Sequence, residues 1–353
     1  MKRTTLLRRA AAAALAMILL GSMAGCGKQE AVSGSEPAAS PSSFGITPEG
    51  SAPEQADTAA LPERSSAVEF SAYEPESSAA AADALQTKWS SLQGRTLRVG
   101  ADGTELDWTQ DDGSGALSGM EVDLLTSFCD YYGITLSWTT SDSATLWSML
   151  ESGELDTVSG HTTVDVDRQS LYWFTDVYAW DSYAIVSPAA NDTPEDGDLR
   201  FWDGKVIAAD SSTSLTLEDM IAQEAENGAA IRSMLVDSPA GLLPAVSEGE
   251  ADGALLFSSV CPRLLAENGM TDTMQVQDTQ WEAVPLTFAF PRQEENKDVI
   301  LAFHDFLGKM REDGGLAALS EKWFDADLTQ IPDGESGYVT TTGADAWQVG
   351  EES

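Results

Sequence analysis

From residue 95 onward the apolar positions of the chain switch between two periods. Leu97 and Val99 alternate with Arg98 and Gly100, the two-residue period of a half-buried strand. Val122, Leu125, Cys129 and Tyr132 then recur at helical spacing. Gly133 is placed to stop that helix, because glycine accepts the left-handed conformation of a helix end. Ile134, Leu136 and Trp138 alternate again as a strand. A second helix is predicted from Ala144 to Ser152, with Leu146, Met149 and Leu150 on its apolar face and Gly153 ending it. Thr157-Val158-Ser159 follows as a strand. This order is the one a parallel sheet with helices on its faces requires.

A new block starts near Tyr183. Ala184-Ile185-Val186 and Val206-Ile207-Ala208-Ala209 read as strands, as do the stretches near Met234–Val236 and Ala254–Phe257. Helices are expected near Leu215–Glu226 and Gly241–Glu248. Leu286-Thr287-Phe288-Ala289-Phe290 reads as one further strand. Val299, Phe303, Phe306 and Met310 then share one helical face, and Leu316, Leu319 and Trp323 suit a last helix. The fold class is α/β, with two α/β units and the second inserted in the first.

The N-terminal part follows neither period. Lys2, Arg3, Arg8 and Arg9 precede an apolar run from Ala10 to Leu20, too short for a spanning helix of about 20 residues but suited to a secretory signal. The segment ends in Met23-Ala24-Gly25-Cys26. Small residues before a cysteine there resemble a bacterial lipobox, so residues 1–26 read as a lipoprotein signal and Cys26 as the lipidated residue. Residues 27–94 are rich in Ser, Ala, Pro and Glu and are expected to be a disordered tether, because they offer too little apolar area to offset chain entropy. A helical patch from Ala79 to Leu92 is read as the partly ordered end of that tether. Residues 326–353 read as a polar C-terminal tail.

Charge narrows the partners. Over 353 residues, 19 Lys+Arg stand against 58 Asp+Glu, a formal net charge of −39. Such a surface repels phosphate backbones and anionic headgroups, which excludes nucleic acid as a partner and leaves the lipid as the only expected membrane contact. His161 and His304 are the only histidines, and there are three cysteines, which argues against a zinc cluster or a disulfide scaffold. No metal and no cofactor are expected.

The stretch from Leu97 to Phe324 resembles the family 3 extracellular solute-binding proteins, the receptors of amino-acid ABC importers. The matching segments are Leu97-Arg98-Val99-Gly100-Ala101-Asp102, Leu117-Ser118-Gly119-Met120-Glu121-Val122-Asp123-Leu124 and Leu150-Glu151-Ser152-Gly153-Glu154-Leu155-Asp156. Ser159-Gly160, Arg168 and Phe174-Thr175-Asp176-Val177-Tyr178 follow, and Asp313-Gly314-Gly315-Leu316 with Glu321-Lys322-Trp323-Phe324 close the match. The resemblance implies a periplasmic-binding-protein-like fold: two lobes joined by two crossover strands, with a ligand cleft between them. Lobe one takes residues 95–181 and 288–325, and lobe two takes 182–287. It further implies a monomer, exported and anchored at the outer face of the cytoplasmic membrane, handing a small solute to an ABC permease.

Site residues follow from the same match. Arg168 carries a planar fork of donors that suits a carboxylate, and the family uses the matching arginine in that way. Ser159, Gly160 and Thr162 lie just before it as further donors, with Thr163 an alternative to Thr162. The family usually has one residue fewer between its Ser-Gly pair and its arginine. Ser211, Ser212 and Thr213 precede a helix start, where hydroxyls cap the helix and free N–H groups attract an anion. Asp102 matches an acidic residue near the ligand amine, and Trp108 an aromatic that stacks on the ligand or shields it.

Three departures bear on the solute. The aspartate that pairs with an α-ammonium in amino-acid-binding members falls at Phe257, and an aromatic pair found in some members falls near Glu105 and Ser143. A buried ammonium then needs Asp102 or Glu105 as its partner. An amino acid or derivative bearing a carboxylate is the leading expectation, with a cationic amine, a dipeptide or a carboxylate without an amine as alternatives. His161 lacks the nucleophile and orienting group that catalysis requires, so no catalytic residue is expected and the chain does not read as an enzyme. Cys129 and Cys261 fall in different lobes and are expected as two buried thiols. A sensor of the same fold, and a cyclohexadienyl dehydratase-like enzyme, are the competing functions.

Overall fold

The computed structural model describes residues 79–332 except Asp112, Asp165, Glu195, Asp196 and Gln280. The signal segment with Cys26, the tether as far as residue 78 and the tail from residue 333 lie outside the described residues. The first described element is helix α1 (Ala79–Lys88). Strand β1 (Thr96–Ala101) follows, then three short strands, β2 (Thr104–Glu105), β3 (Thr109–Asp111) and β4 (Leu117–Ser118), which pair antiparallel as a small sheet. Helix α2 (Met120–Tyr132) ends at Gly133, whose φ of 68° supplies the left-handed terminus predicted for it. Strand β5 (Thr135–Thr140), helix α3 (Ser143–Ser152), strand β6 (Thr157–Val158), helix α4 (Val166–Leu171) and strand β7 (Tyr172–Phe174) complete this half.

Strand β8 (Ala179–Asp181) leads into the second half. There, β9 (Tyr183–Pro188), β10 (Val206–Ala209), α5 (Ser214–Glu226), β11 (Arg232–Leu235), α6 (Leu242–Ser247), β12 (Gly253–Phe257), α7 (Cys261–Glu267) and β13 (Met274–Asp278) follow in order. The chain returns through β14 (Val284–Leu286) to β15 (Ala289–Pro291), α8 (Glu294–Glu312) and α9 (Gly315–Phe324).

Each half is built on one five-stranded sheet. The first has the order β5-β1-β6-β15-β7, and the second β11-β10-β12-β9-β13. In each, the first three strands of that order pair parallel, and the fourth, β15 or β9, pairs antiparallel with both of its neighbours. Strands β8 and β14 pair antiparallel with one another and join the two lobes. The lobe-one core forms where the stripe Val299, Phe303, Phe306 and Met310 of α8 meets Phe128 of α2 and Leu316 and Leu319 of α9. Phe128 and Phe303 meet edge to face with centroids 4.9 Å apart. In lobe two, α6 and α7 cover one face of the sheet, and α5 with Trp202 covers the other.

Three expectations need correction. The folded body starts upstream of residue 95: Trp89 and Leu92 are buried in the lobe-one core, and Lys88 Nζ and the Trp89 indole N–H both reach Asp305 Oδ2, at 2.8 and 2.6 Å. The single strand expected over Leu286–Phe290 is two strands, β14 in the crossover pair and β15 in the first sheet. Thr287 and Phe288 pass between them, and Phe288 exchanges hydrogen bonds with Thr175. Every residue of Leu286–Phe290 is buried, so no change of period marks the break. The start of the polar tail also packs on the body: Leu328 lies against the lobe-one core and its carbonyl accepts the Trp180 N–H at 2.8 Å. Among the described residues no helix is long and apolar enough to cross a membrane, and no cluster of three or more His, Cys, Asp or Glu is arranged to hold a metal ion.

Candidate functional site

The lobe-one wall of the cleft is organised by Glu121, fully buried in the first turn of α2. Its carboxylate accepts five hydrogen bonds: from the Thr109, Ser159 and Tyr178 hydroxyls at 3.0, 2.5 and 2.6 Å, and from the Gly160 and His161 backbone N–H groups at 2.6 and 2.8 Å. This holds His161 at φ 55°, a conformation few non-glycine residues adopt. The loop carrying Trp108 is held on the same helix start, where Met120 N–H donates to the Asp107 carbonyl and Glu121 N–H to the Trp108 carbonyl. That approach requires Gly119: a Cβ on it would stand 2.1 Å from the Trp108 carbonyl oxygen, and its φ is 138°.

A second carboxylate, Asp181, sits at the end of β8 where the chain crosses between lobes. It accepts from Ser182 N–H at 2.8 Å, Ser258 Oγ at 3.1 Å, Ser259 N–H at 3.2 Å and Ser259 Oγ at 2.5 Å, and it meets His161 Nε2 at 2.9 Å. Burial lowers the His161 pKa, but the hydrogen bond and charge of Asp181, with the charges of Glu105 and Glu121, raise it overall. The ring stands between Phe257, with centroids 3.9 Å apart, and the edge of Trp108, at 5.1 Å. Ser259 bonds to Asp181 and accepts the Trp108 indole N–H at 3.2 Å. The carboxylate thus separates the hydroxyl from the imidazole, and the sequence nucleophile, base, orienter is not assembled.

Across the cleft, Arg263 of α7 pairs with Asp107. Between the lobes lies a cavity of about 50 Å³. Thr104, Glu105 and Trp108 line it from lobe one, and Asp210, Thr213 and Phe257 from lobe two, with a wall of leucines from α6 and β12. Glu105 is half-buried at the wall of this space. Burial pushes its pKa up to about 7, against the opposing charge of His161 and with help from Asp102, Asp210 and Glu121.

The residues singled out in the sequence divide between the cavity and its frame. Glu105, Trp108, Ser212 and Thr213 line the cavity. Ser212 and Thr213 turn their N–H and hydroxyl groups onto Asp210 Oδ1, at 2.6 to 3.3 Å, so a carboxylate of the chain itself already occupies the turn before α5. Ser211 is exposed beside them. Asp102 accepts from its neighbour Thr104, N–H and hydroxyl both at 3.0 Å, in a local turn. Ser159 and Gly160 serve Glu121. Thr162 is buried and its carbonyl accepts the Thr287 N–H, while Thr163 bridges to Leu286. Arg168 lies with its guanidinium 4.2 Å from the Trp147 ring and is not part of the cavity lining. Cys129 and Cys261 are buried free thiols, each with its pKa raised to about 12 by burial.

Glu121, Asp181 and Asp210 were not singled out in the sequence. Only Glu121 had a signal there, an acid on the buried face of a predicted helix beside Val122 and Leu125.

Residues 97–326 match the model of the bacterial extracellular solute-binding proteins, family 3. The L-cystine-binding protein TcyJ of Escherichia coli (strain K12) is 26% identical over 245 residues, covering 67% of this chain and 85% of that protein. The probable amino-acid-binding protein YxeM of Bacillus subtilis (strain 168) is 26% identical over 236 residues, covering 66% of this chain and 85% of its own length. Among solved structures, one from a study of glutathione import via GshT and the cystine ABC importer TcyBC of Streptococcus mutans superposes with a TM-score of 0.58 at 17% identity, covering 67% of this chain and 97% of that one.

Proposed function

The chain belongs to the bacterial extracellular solute-binding proteins of family 3, and from that premise we propose that it is a receptor closing two lobes on a small amino-acid-related solute for an ABC importer. The observation that carries this reading is the cavity walled by Glu105 and Trp108 from one lobe and by Asp210 and Phe257 from the other. A ligand held there touches both lobes only when they are closed, so binding and closure are one equilibrium. The relatives named above are binding proteins, which favours capture over turnover. Anchoring through a lipid on Cys26 is part of the proposal and rests on Met23-Ala24-Gly25-Cys26 after a charged and apolar leader.

A solute that bears a carboxylate would have Arg168 as its cation, and that pairing requires the guanidinium to leave Trp147. The lining as it stands offers carboxylates instead of a cation. A thermal-shift screen of the purified protein against amino acids, short peptides, amines and organic acids tests the reading. A true ligand at about 100 times its Kd stabilises the folded state by about 2.7 kcal/mol, a shift of several degrees. Loss of that shift in Arg168→Ala assigns the carboxylate to Arg168. No shift with any of the four classes overturns the reading.

A further inference from the structure

Two carboxylates from opposite lobes share the cleft cavity, and no basic side chain shares its lining. Asp210 is 2 % exposed, and all the hydrogen bonds its side chain accepts fall on Oδ1, which leaves Oδ2 without a donor among the described residues. Glu105 receives no hydrogen bond or ion pair from any described residue; the groups acting on it do so through charge and burial alone. Thr104, Ser212 and Thr213 add hydroxyls to the wall, and Trp108, Leu242, Leu255, Phe257 and Val260 make most of the remainder apolar.

Two carboxylates that face one cavity repel each other, and a bound cation or a bound proton relieves that repulsion. We propose that the cleft takes an organic cation with an apolar body and no carboxylate, a primary amine, whose ammonium bridges Glu105 and Asp210 as the lobes close. This rests on the reading of the chain as a two-lobed receptor and names its solute class. An ammonium carries three donors and matches two acceptors on opposite walls. An α-amino acid would bring its own carboxylate beside these two acids, and Arg168, the cation expected for it, is not in the lining.

The cavity sets a pH dependence. With a pKa near 7, Glu105 is protonated on the acid side and must lose that proton to pair with an ammonium, so affinity rises with pH up to about 7 and then levels off. The charged groups facing Glu105 are Asp102 after β1, Glu121 on α2, His161 after β6 and Asp210 after β10. His161 loses its positive charge as pH rises, which makes the site more negative and acts in the same direction.

Titration calorimetry of the full chain tests the proposal with two matched sets of probes: phenethylamine, phenylalanine and phenylpropionate, then isopentylamine, leucine and isocaproate. The amine of a set is expected to bind about tenfold or more tighter than its amino acid or its acid. It should bind tighter on the alkaline side of pH 7 than on the acid side. Asp210→Asn disturbs the turn before α5 as well as the site, so Glu105→Gln, whose side chain anchors no other group, is the deciding variant. It should reduce the pH dependence to the part that His161 supplies and weaken the amine about tenfold. An amino acid or acid binding as tightly as its amine, or an amine affinity that Glu105→Gln leaves unchanged, overturns the cation and leaves the two-lobed receptor standing. Silence toward both amines also overturns it, and the broader melting screen then tells whether the receptor reading falls too.

Discussion

Glu121 is the residue on which the lobe-one wall depends. Five donors converge on its carboxylate, two of them backbone N–H groups of the loop that places His161. Glu121→Gln keeps the shape but turns an NH₂ group toward donors, leaving buried N–H and O–H groups unpaired. We expect a loss of about 2–3 kcal/mol in stability, read from urea denaturation. An unchanged midpoint would mean that the donors find other partners. The hydroxyls of Ser159 and Thr213 teach a related lesson. The family match makes both candidate ligand donors, yet Ser159 donates to Glu121 and the Thr213 hydroxyl lies between Asp210 and the Leu255 carbonyl. Residue type shows that a donor exists, whereas its partner depends on residues far away in sequence.

At the scale of elements, apolar runs marked several buried strands, and helical spacing marked several helices that bury one face. Strand β10 falls over Val206–Ala209 and helix α5 starts one residue from its predicted position. Periodicity failed over Leu286–Phe290, where burial on all sides erases the period, and at Trp89 and Leu92, where two large residues pack beside a low-complexity stretch. Gly119 shows how one position sets a contact between elements, since it lets the start of α2 lie against the Trp108 loop. Gly119→Ala combines a clash with backbone and a left-handed φ, and should cost about 1–3 kcal/mol. Thermal melting checks this. A further expectation is weaker quenching protection of Trp108, which a purely global loss of stability would not produce below the melting range.

For the whole molecule, the balance between open and closed lobes rests on few contacts. Arg263 with Asp107 and the Trp108 indole with Ser259 link the lobes at the cleft, and His161 with Asp181 and Phe257 links them near the crossover strands. Arg263→Ala removes the cation from a pair whose acid is 1 % exposed, so the closed form should lose ground to the open one. Small-angle scattering of the unliganded variant should show a larger radius of gyration than the parent. An unchanged radius would show that the aromatic and hinge contacts suffice for closure.

Local order along the chain settled most of the architecture. Alternating and helical spacings mark strands and helices because each element buries one face, and glycines mark helix ends because only they take the required φ at little cost. The resemblance over residues 97–324 then implied two lobes for those elements. The chemistry of the cleft is different in kind. Glu105 and Asp210 are 105 positions apart and become a pair of enclosed carboxylates only when two sheets close on one another. Arg168 and Trp147, close in sequence and on neighbouring helices, take each other as partners. A charge's environment depends on which surfaces exclude water around it, and folding alone brings those surfaces together.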